Sequence, residues 1–293
     1  MGGFIAALLA RAGEQVLVIA RPETAELISR EGISVSSVRF GDFVARPEAR
    51  EELRAPIDFV LVATKATALD AALERIRVAP RLVVPLLNGL DHMATLRARF
   101  GAGRVAAGSI RIEADRPRPA RVIHTSPLLR IDLAADDPVL RDALTELRDS
   151  FVRAQIPAEI WASEAQVLWS KLVRLGPLAC ITSASDRPIG FVRTDPYWRA
   201  ILEAAIAEMV AVANADGARI DPAVPMAELE VAHPTLSSSM QRDLAAGRTP
   251  ELDAIPGSVL RAAQRHGLEC ATVEELVAQI ERRAHGEVSA RRS

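Results

Sequence analysis

Lysine is scarce in this chain. Lys65 and Lys171 are the only two lysines among 36 Lys and Arg residues, and the rest are arginines. A coding bias toward arginine explains the excess, but not why two positions keep lysine. Arginine cannot release a proton near neutral pH, whereas a partly buried lysine can have its pKa lowered until it does. Lys171 lies in AQVLWSKLVRLGPLACITSAS, Ala165–Ser185, which reads as a buried helix whose only charges are Lys171 and Arg174. At helical spacing Val167, Leu168, Leu175 and Leu178 form one stripe with Lys171 in its middle. An unpaired ammonium among apolar neighbours is costly. Two readings follow: a structural lysine that snorkels or pairs with a carboxylate, or a compact titratable general acid. The scarcity of lysine makes the second the leading one.

The rest of the composition narrows the field. A chain of 293 residues fits two ordinary domains better than one large one. Hydrophobic residues at 49% and charged residues at 25% suit a globular protein. A net charge of −2 implies neither a nucleic-acid nor a membrane partner. Cys180 and Cys270 form no ligand cluster and no disulfide framework, so no metal is expected and a reducing cytoplasm is favoured. The start lacks the basic region of a signal peptide, and no apolar run is long enough for a membrane span. A homodimer is allowed but not dictated. The tail Ala284–Ser293 reads as frayed.

Two kinds of element alternate in the first half. Phe4–Arg11 reads as a helix ended by Gly13, and Gln15–Ala20 as a buried strand finishing at Arg21. Phe59–Thr64 and Leu82–Leu87 are short apolar runs of the doubly buried kind, followed by Lys65 and by Asn88-Gly89. Helical patterns at Ala68–Ile76 and Met93–Phe100 follow them. This alternation predicts an α/β fold with a doubly wound, Rossmann-type parallel sheet, in which ligands bind beyond the carboxyl ends of the strands. Lys65 and Asn88 stand at such ends, although Asn-Gly is also an ordinary turn pair. Arg104–Ile112, Arg121–Thr125 and Leu128–Leu133 read as shorter strands closing the sheet; Pro138–Ala154 reads as an amphipathic helix and Ile156–Trp161 as a last strand. Residues 1–161 form the expected dinucleotide-binding domain and 162–293 an all-helical one. In the latter, Tyr197–Ala215 and Pro250–His266 are helices, the second with Thr249 as N-cap and Pro250 at its first position.

With these residues assembled, the chain resembles the ketopantoate reductases, NADPH-dependent 2-dehydropantoate 2-reductases of pantothenate biosynthesis, nearly end to end. MGGFIAALLARAG is similar to the tail of that family's glycine fingerprint and its first helix. LVATKA and PLLNG match its lysine and asparagine turns, and LWSKL its lysine helix. SSSMQRDLAAGRTPELDAIPG matches its Ser-Ser-Met…Asp…Thr-Glu-Asp segment. The resemblance implies reduction of a 2-oxo acid to the 2-hydroxy acid, with Lys171 as general acid. It implies that Glu251 contacts the substrate hydroxyl and holds the lysine, and that Ser239 binds the carboxylate end. Asn88 would sit between nicotinamide and lysine, with Gly2 and Lys65 along the cofactor. Arg21 follows the second Rossmann strand, where a cation suits the extra phosphate of NADP. Simpler readings stand beside these: a solvated cation at Arg21, a favourable carboxylate in a first helical turn at Glu251, a turn or cap at Ser239. His124, in RVIHTSP, reads as a hydrogen-bonded structural histidine.

The chain departs from the family at two places. Leu175 and Ala179 occupy positions where the family has substrate-contacting asparagines, which predicts a pocket for a less polar 2-oxo acid. Pro177 falls inside the lysine helix and Pro256-Gly257 replaces a family Asn-Gly. The first Rossmann strand and the first two fingerprint glycines are missing ahead of Gly2, and a misassigned start is the expected cause; in-frame upstream codons for an apolar strand ending in Gly-x-Gly-x would support it. The alternative functions are a reductase of a different, less polar 2-oxo acid, or a non-catalytic metabolite-binding descendant.

Overall fold

The computed structural model describes residues 1–290. The chain divides into two compact units, one of Met1–Leu87 with His92–Val167, the other of Asn88–Asp91 with Leu168 onward.

The first unit is a Rossmann-like α/β domain. Its helices are α1 (Gly2–Arg11), α2 (Pro22–Glu31), α3 (Leu69–Leu73), α4 (His92–Phe100) and α5 (Arg141–Arg153). Its strands are β1 (Leu17–Ile19), β2 (Ile33–Ser37), β3 (Phe43–Ala45), β4 (Glu48–Arg50), β5 (Phe59–Val62), β6 (Leu82–Pro85), β7 (Ala107–Arg118), β8 (Arg121–Ala134) and β9 (Ala158–Trp161). Parallel pairs join β1 with β4, β5 with β6, β2 with β8, and β8 with β9. The apolar run of β6 is buried at all four positions, as a strand covered on both faces requires. Helix α1 buries Phe4, Ile5, Ala7 and Leu8 in the same core as Leu82, Val84 and Phe151.

Sheet order explains where the apolar runs remain half-exposed. In the doubly wound order the first strand lies between the second and fourth. Here β1–β4 and β5–β6 are separate two-stranded sheets, and none of the described residues fills the position between β1 and β5. All three residues of β1 and three of four in β5 are only half-buried.

One expectation is corrected in this unit. Arg104–Ile112, Arg121–Thr125 and Leu128–Leu133 are not three short strands; β7 and β8 form one long antiparallel hairpin. Pro127 interrupts the ladder without ending the strand. The register shifts between Ile112 and Ala114, which pair with Leu129 and His124, so the bulge absorbs the missing N–H.

His124 is held from both sides of its ring. Its Nε2–H donates to the Leu128 carbonyl at 3.3 Å, and Nδ1 accepts from the Ser37 hydroxyl at 2.8 Å. The Phe4 ring lies 4.6 Å away, centroid to centroid. Burial pushes the imidazole pKa below its ordinary 6.5, with Arg39 acting in the same direction. The unfolded chain therefore takes up this proton first. The stabilisation is complete above pH 6.5 and is lost as pH falls toward the folded value. Denaturant midpoints at about pH 7.5 and 5.5 should differ more for the wild type than for His124→Gln. An equal acid loss in both would refute this.

The second unit is helical: α6 (Glu164–Ser185, its first turn belonging to the first unit), α7 (Ile189–Thr194), α8 (Pro196–Ala215), α9 (Ala223–Glu230), α10 (Ser239–Ala245), α11 (Ser258–His266) and α12 (Ala271–Ala290). Asp195 caps α8 by accepting from the Tyr197 and Trp198 amides at 3.0 Å, and Pro196 takes its first position. Gly176 lets α6 and α8 approach closely: a Cβ there would stand 2.6 Å from Met209 Sδ. The reading of the tail as frayed from Ala284 is also corrected, because α12 runs to Ala290; the rest of the tail, Arg291–Ser293, lies outside the described residues.

Candidate active site

Helix α6 carries Lys171 on a half-buried face. The deep core face is offset from the expected stripe and consists of Trp169, Leu172, Val173, Gly176 and Cys180. Leu168, Lys171 and Leu175 line the adjoining edge, all half-buried, while Val167 and Leu178 go under. A stripe read from sequence marks an apolar sector, but a helix packed on two sides buries a sector wider than one stripe. Trp169, 1% exposed, anchors this orientation by donating its indole N–H to Asp216 at 2.8 Å. The other cation of the helix, Arg174, pairs with Glu228 at 3.2 Å.

Asn88 and Glu251 meet although 163 positions separate them. The Asn88 amide donates to Glu251 Oε2 at 3.2 Å. Asn88 is half-buried and Glu251 is 9% exposed. Gly89 makes the approach possible. Its φ of +85° is left-handed, and a Cβ there would fall 1.9 Å from the Ala254 carbonyl oxygen. The segment that presents Glu251 is not the expected helix from Pro250. Leu252 and Gly257, not Thr249, stand at the N-caps that follow, and Asp253–Gly257 is a π turn leading into α11. Proline accounts for this. Pro256 has no N–H to offer the Leu252 carbonyl, and the next amide, Gly257, takes that carbonyl at 2.9 Å instead. Glu251 thus stands just ahead of the π turn rather than within a first helical turn, and its carbonyl accepts from the Ile255 amide at 3.0 Å.

Three further candidates lie in this unit. Ser239 is the exposed first residue of α10. Its neighbour Ser238 is the buried one: it caps α10 by accepting from Gln241 N at 3.0 Å and shares a 2.8 Å hydrogen bond with Thr182 of α6. The run of three serines hid which of them caps. Ala179 is buried at 1% exposure, and Leu175 stands one turn after Lys171 on the half-buried face.

The first unit holds three of the candidate cofactor residues, Gly2, Arg21 and Lys65; the fourth, Asn88, belongs to the second. Gly2 opens α1, and a Cβ there would come within 3.0 Å of Ala63 Cβ, just past β5. That close helix–strand approach is the role of the last fingerprint glycine, and the N–H groups heading α1 form the positive end of its dipole. Arg21 is exposed at the N-cap of α2, immediately after β1. Lys65 is exposed at the end of β5. A glycine-led helix start with one cation just past β1 and another just past β5 fits the phosphates of a dinucleotide. Among the described residues no group of three or more His, Cys, Asp or Glu could hold a metal ion, and no helix is long and apolar enough to cross a membrane.

The chain is similar to known proteins along almost its whole length. Residues 1–136 match the family model described as ketopantoate reductase PanE/ApbA, and residues 165–284 match that family's C-terminal model. The 2-dehydropantoate 2-reductase of Caulobacter vibrioides is 26% identical over 276 residues, covering 92% of this chain and 90% of that one. The crystal structure of the 2-dehydropantoate 2-reductase of Geobacter metallireducens superposes with a TM-score of 0.88 at 27% identity, covering 96% of each chain. D-mandelate dehydrogenase, in a ternary structure with NADH and anilino(oxo)acetate, also reaches a TM-score of 0.88, at 18% identity over 98% of this chain and 96% of that one, a likeness of fold. With both halves matched and the likeness running along almost its whole length, the chain belongs to the ketopantoate reductase family of oxidoreductases.

Proposed function

We propose that this oxidoreductase reduces a 2-oxo acid of the ketopantoate kind to its 2-hydroxy acid with NADPH. We assign the cofactor to residues 1–161 and the substrate to residues 162–293. The observation that carries the reading is the Asn88–Glu251 pair, 3.2 Å apart, in the same unit as a half-buried lysine. NADPH, when bound, supplies the hydride that reaches the ketone carbon. Lys171 Nζ gives the ketone oxygen its proton, which turns the developing alkoxide into a hydroxyl, and the amine is reprotonated from water. Glu251 holds the ammonium and accepts from the substrate hydroxyl. Asn88, its amide fixed by Glu251, orients the reacting carbonyl. Ser239 binds the carboxylate end from the start of α10. Gly2, Arg21 and Lys65 hold the dinucleotide, with Asn88 at its nicotinamide end.

A second reading concerns the substrate. Leu168 and Leu175 flank Lys171 one turn to either side, and Ala179 lies one turn further. This wall offers a substrate side chain no hydrogen bond, each worth about 0.5–1.5 kcal/mol net. It favours a 2-oxo acid with a hydrocarbon side chain over hydroxylated ketopantoate. Following nicotinamide absorbance with ketopantoate, 2-oxoisovalerate and phenylglyoxylate separates the two. Preference for ketopantoate by a wide margin ends the second, and NADPH binding without turnover of any 2-oxo acid ends both in favour of a metabolite-binding role.

Cofactor choice is tested at Arg21. An arginine at that strand end favours the 2′-phosphate of NADPH, and an acidic residue favours the ribose hydroxyls of NADH. Arg21→Asp should raise the NADPH KM by roughly tenfold or more, the loss expected of a charge-assisted phosphate contact, and leave the NADH KM level or lower. Equal KM changes for both cofactors would mean that Arg21 is a solvated surface cation.

A further inference from the structure

We propose that Arg261 is a positioning residue that locks the Asn88 turn against the Glu251 segment; this rests on the reading of Asn88 and Glu251 given above. Arg261 stands on α11, 170 positions from Asp91 and 8 from Asp253, and its guanidinium reaches each of the segments that carry Asn88 and Glu251. Its Nε and Nη2 donate to Asp91 Oδ2 at 3.0 and 2.6 Å, three residues after Asn88. Its Nη1 donates to Asp253 Oδ1 at 2.6 Å and Nη2 to the Asp253 carbonyl at 2.8 Å, two residues after Glu251. One planar fork thus holds two aspartates by four bonds, a use for which lysine has the wrong shape.

The fork acts beside two other contacts of the same turn. Asn88 donates to Glu251 at the inner end, and Gly89 lays its backbone against the Ala254 carbonyl in the middle. Neither contact fixes the outer end, where the chain leaves at Asp91. The segment it meets is a π turn built around Pro256, which lacks the regular ladder of an α-helix. Arg261 joins these two irregular stretches at their rim. A Cβ on Gly257 would lie 3.3 Å from Arg261 Nη1, so the glycine leaves the fork room beside the turn. The partners are exposed to differing degrees, Asp91 at 46%, Arg261 at 42% and Asp253 at 89% of their side chains. Partly exposed ion pairs add little to global stability, so the effect belongs to local order and to the geometry of the Asn88–Glu251 pair.

The test uses the full chain with Arg261→Ala, Arg261→Lys, Asp91→Asn and the Asp91→Asn/Arg261→Ala double variant, with Arg265→Ala as a control on the same helix. Two measurements are made. Hydrogen exchange of the peptide covering residues 88–91 should speed up roughly tenfold in Arg261→Ala and Asp91→Asn, remain slow in Arg265→Ala, and be only partly rescued by Arg261→Lys. Turnover, measured as NADPH oxidation with whichever of the three 2-oxo acids is reduced, should fall in kcat by roughly ten- to a hundredfold with the NADPH KM held, because misplacement acts on the reacting geometry. The double variant should be no worse than either single one. Unchanged exchange in Arg261→Ala, or losses from Asp91 and Arg261 that multiply, would overturn the proposal. Asn88→Ala and Glu251→Gln turning over at the wild-type rate would overturn the reading of the site, and this proposal with it. If those two variants are crippled while Arg261→Ala is not, the positioning role alone is overturned.

Discussion

Lys171→Ala should lower kcat for 2-oxo acid reduction by about 10²–10⁴-fold, the range expected when a positioned proton donor is removed. The NADPH dissociation constant should hardly change, because Gly2, Arg21 and Lys65, assigned to hold the dinucleotide, belong to the other unit. Lys171→Arg is the sharper version. It keeps the charge and much of the length, so a lysine that only pairs with a carboxylate would tolerate it. A proton donor would not, because guanidinium does not release a proton in the working range. The two roles therefore separate on one variant: kcat near wild type in Lys171→Arg makes the lysine structural, and a loss close to that of Lys171→Ala makes it the acid. Melting curves guard against a trivial cause. Lys171 is half-buried on the rim of α6, and the deep contacts of that helix are made by Trp169, Leu172 and Val173, so neither variant should shift the midpoint by more than a few degrees.

What could be read ahead of the structure follows from how local each signal is. Helix α6 was legible because the stretch Ala165–Ser185 is apolar throughout apart from a few uncharged polar residues and just two charges. Its burial pattern was less so: Lys171 lies beside the core face, and which face is covered depends on α8 and Met209, far away in sequence. The apolar runs of β5 and β6 announced themselves, whereas β2, β3 and β4 did not, because ISVSS, FVA and EAR are short or polar and become strands through their partners. The clearest failure is at Pro250. Thr249-Pro250 has the look of a helix start, yet the local rule lost to Pro256, whose missing N–H reorganised the next turn. The pairing of Asn88 with Glu251 is long-range, and no spacing rule could have found it; the resemblance to a family pointed to the two residues separately. Arg261 and Asp91 carried no signal, since one more arginine in an arginine-rich chain reads as surface.

A strand supplied ahead of Met1 should change this molecule more than any surface substitution. The edges of β1 and β5 that face away from β4 and β6 have no strand partner among the described residues. Val18, Phe59 and Leu61 sit half-exposed against the core. An added segment of about four consecutive apolar residues, joined to Gly2 by a Gly-x-Gly-x turn, has the length and order to pair with both edges and merge the two small sheets into one. Each apolar side chain it buries contributes about 1.5–3 kcal/mol, and each new ladder bond about 0.5–1.5 kcal/mol, against roughly 1–2 kcal/mol per residue for ordering the added backbone. The balance is favourable because the edges β1 and β5 are already ordered and gain burial themselves. We expect the melting midpoint to rise by roughly 5–10 °C for a net gain of a few kcal/mol. The backbone amides of the new glycine turn should also tighten NADPH binding, since they add donors to the phosphate site at the head of α1. A polar extension of the same length is the control. Amide exchange at Leu17–Ile19 and Phe59–Val62 reports the pairing directly: it should slow with the apolar segment and not with the polar one. If both edges exchange as fast with the apolar segment as without it, the sheet does not accept a strand there, and the cofactor affinity should then stay where it was.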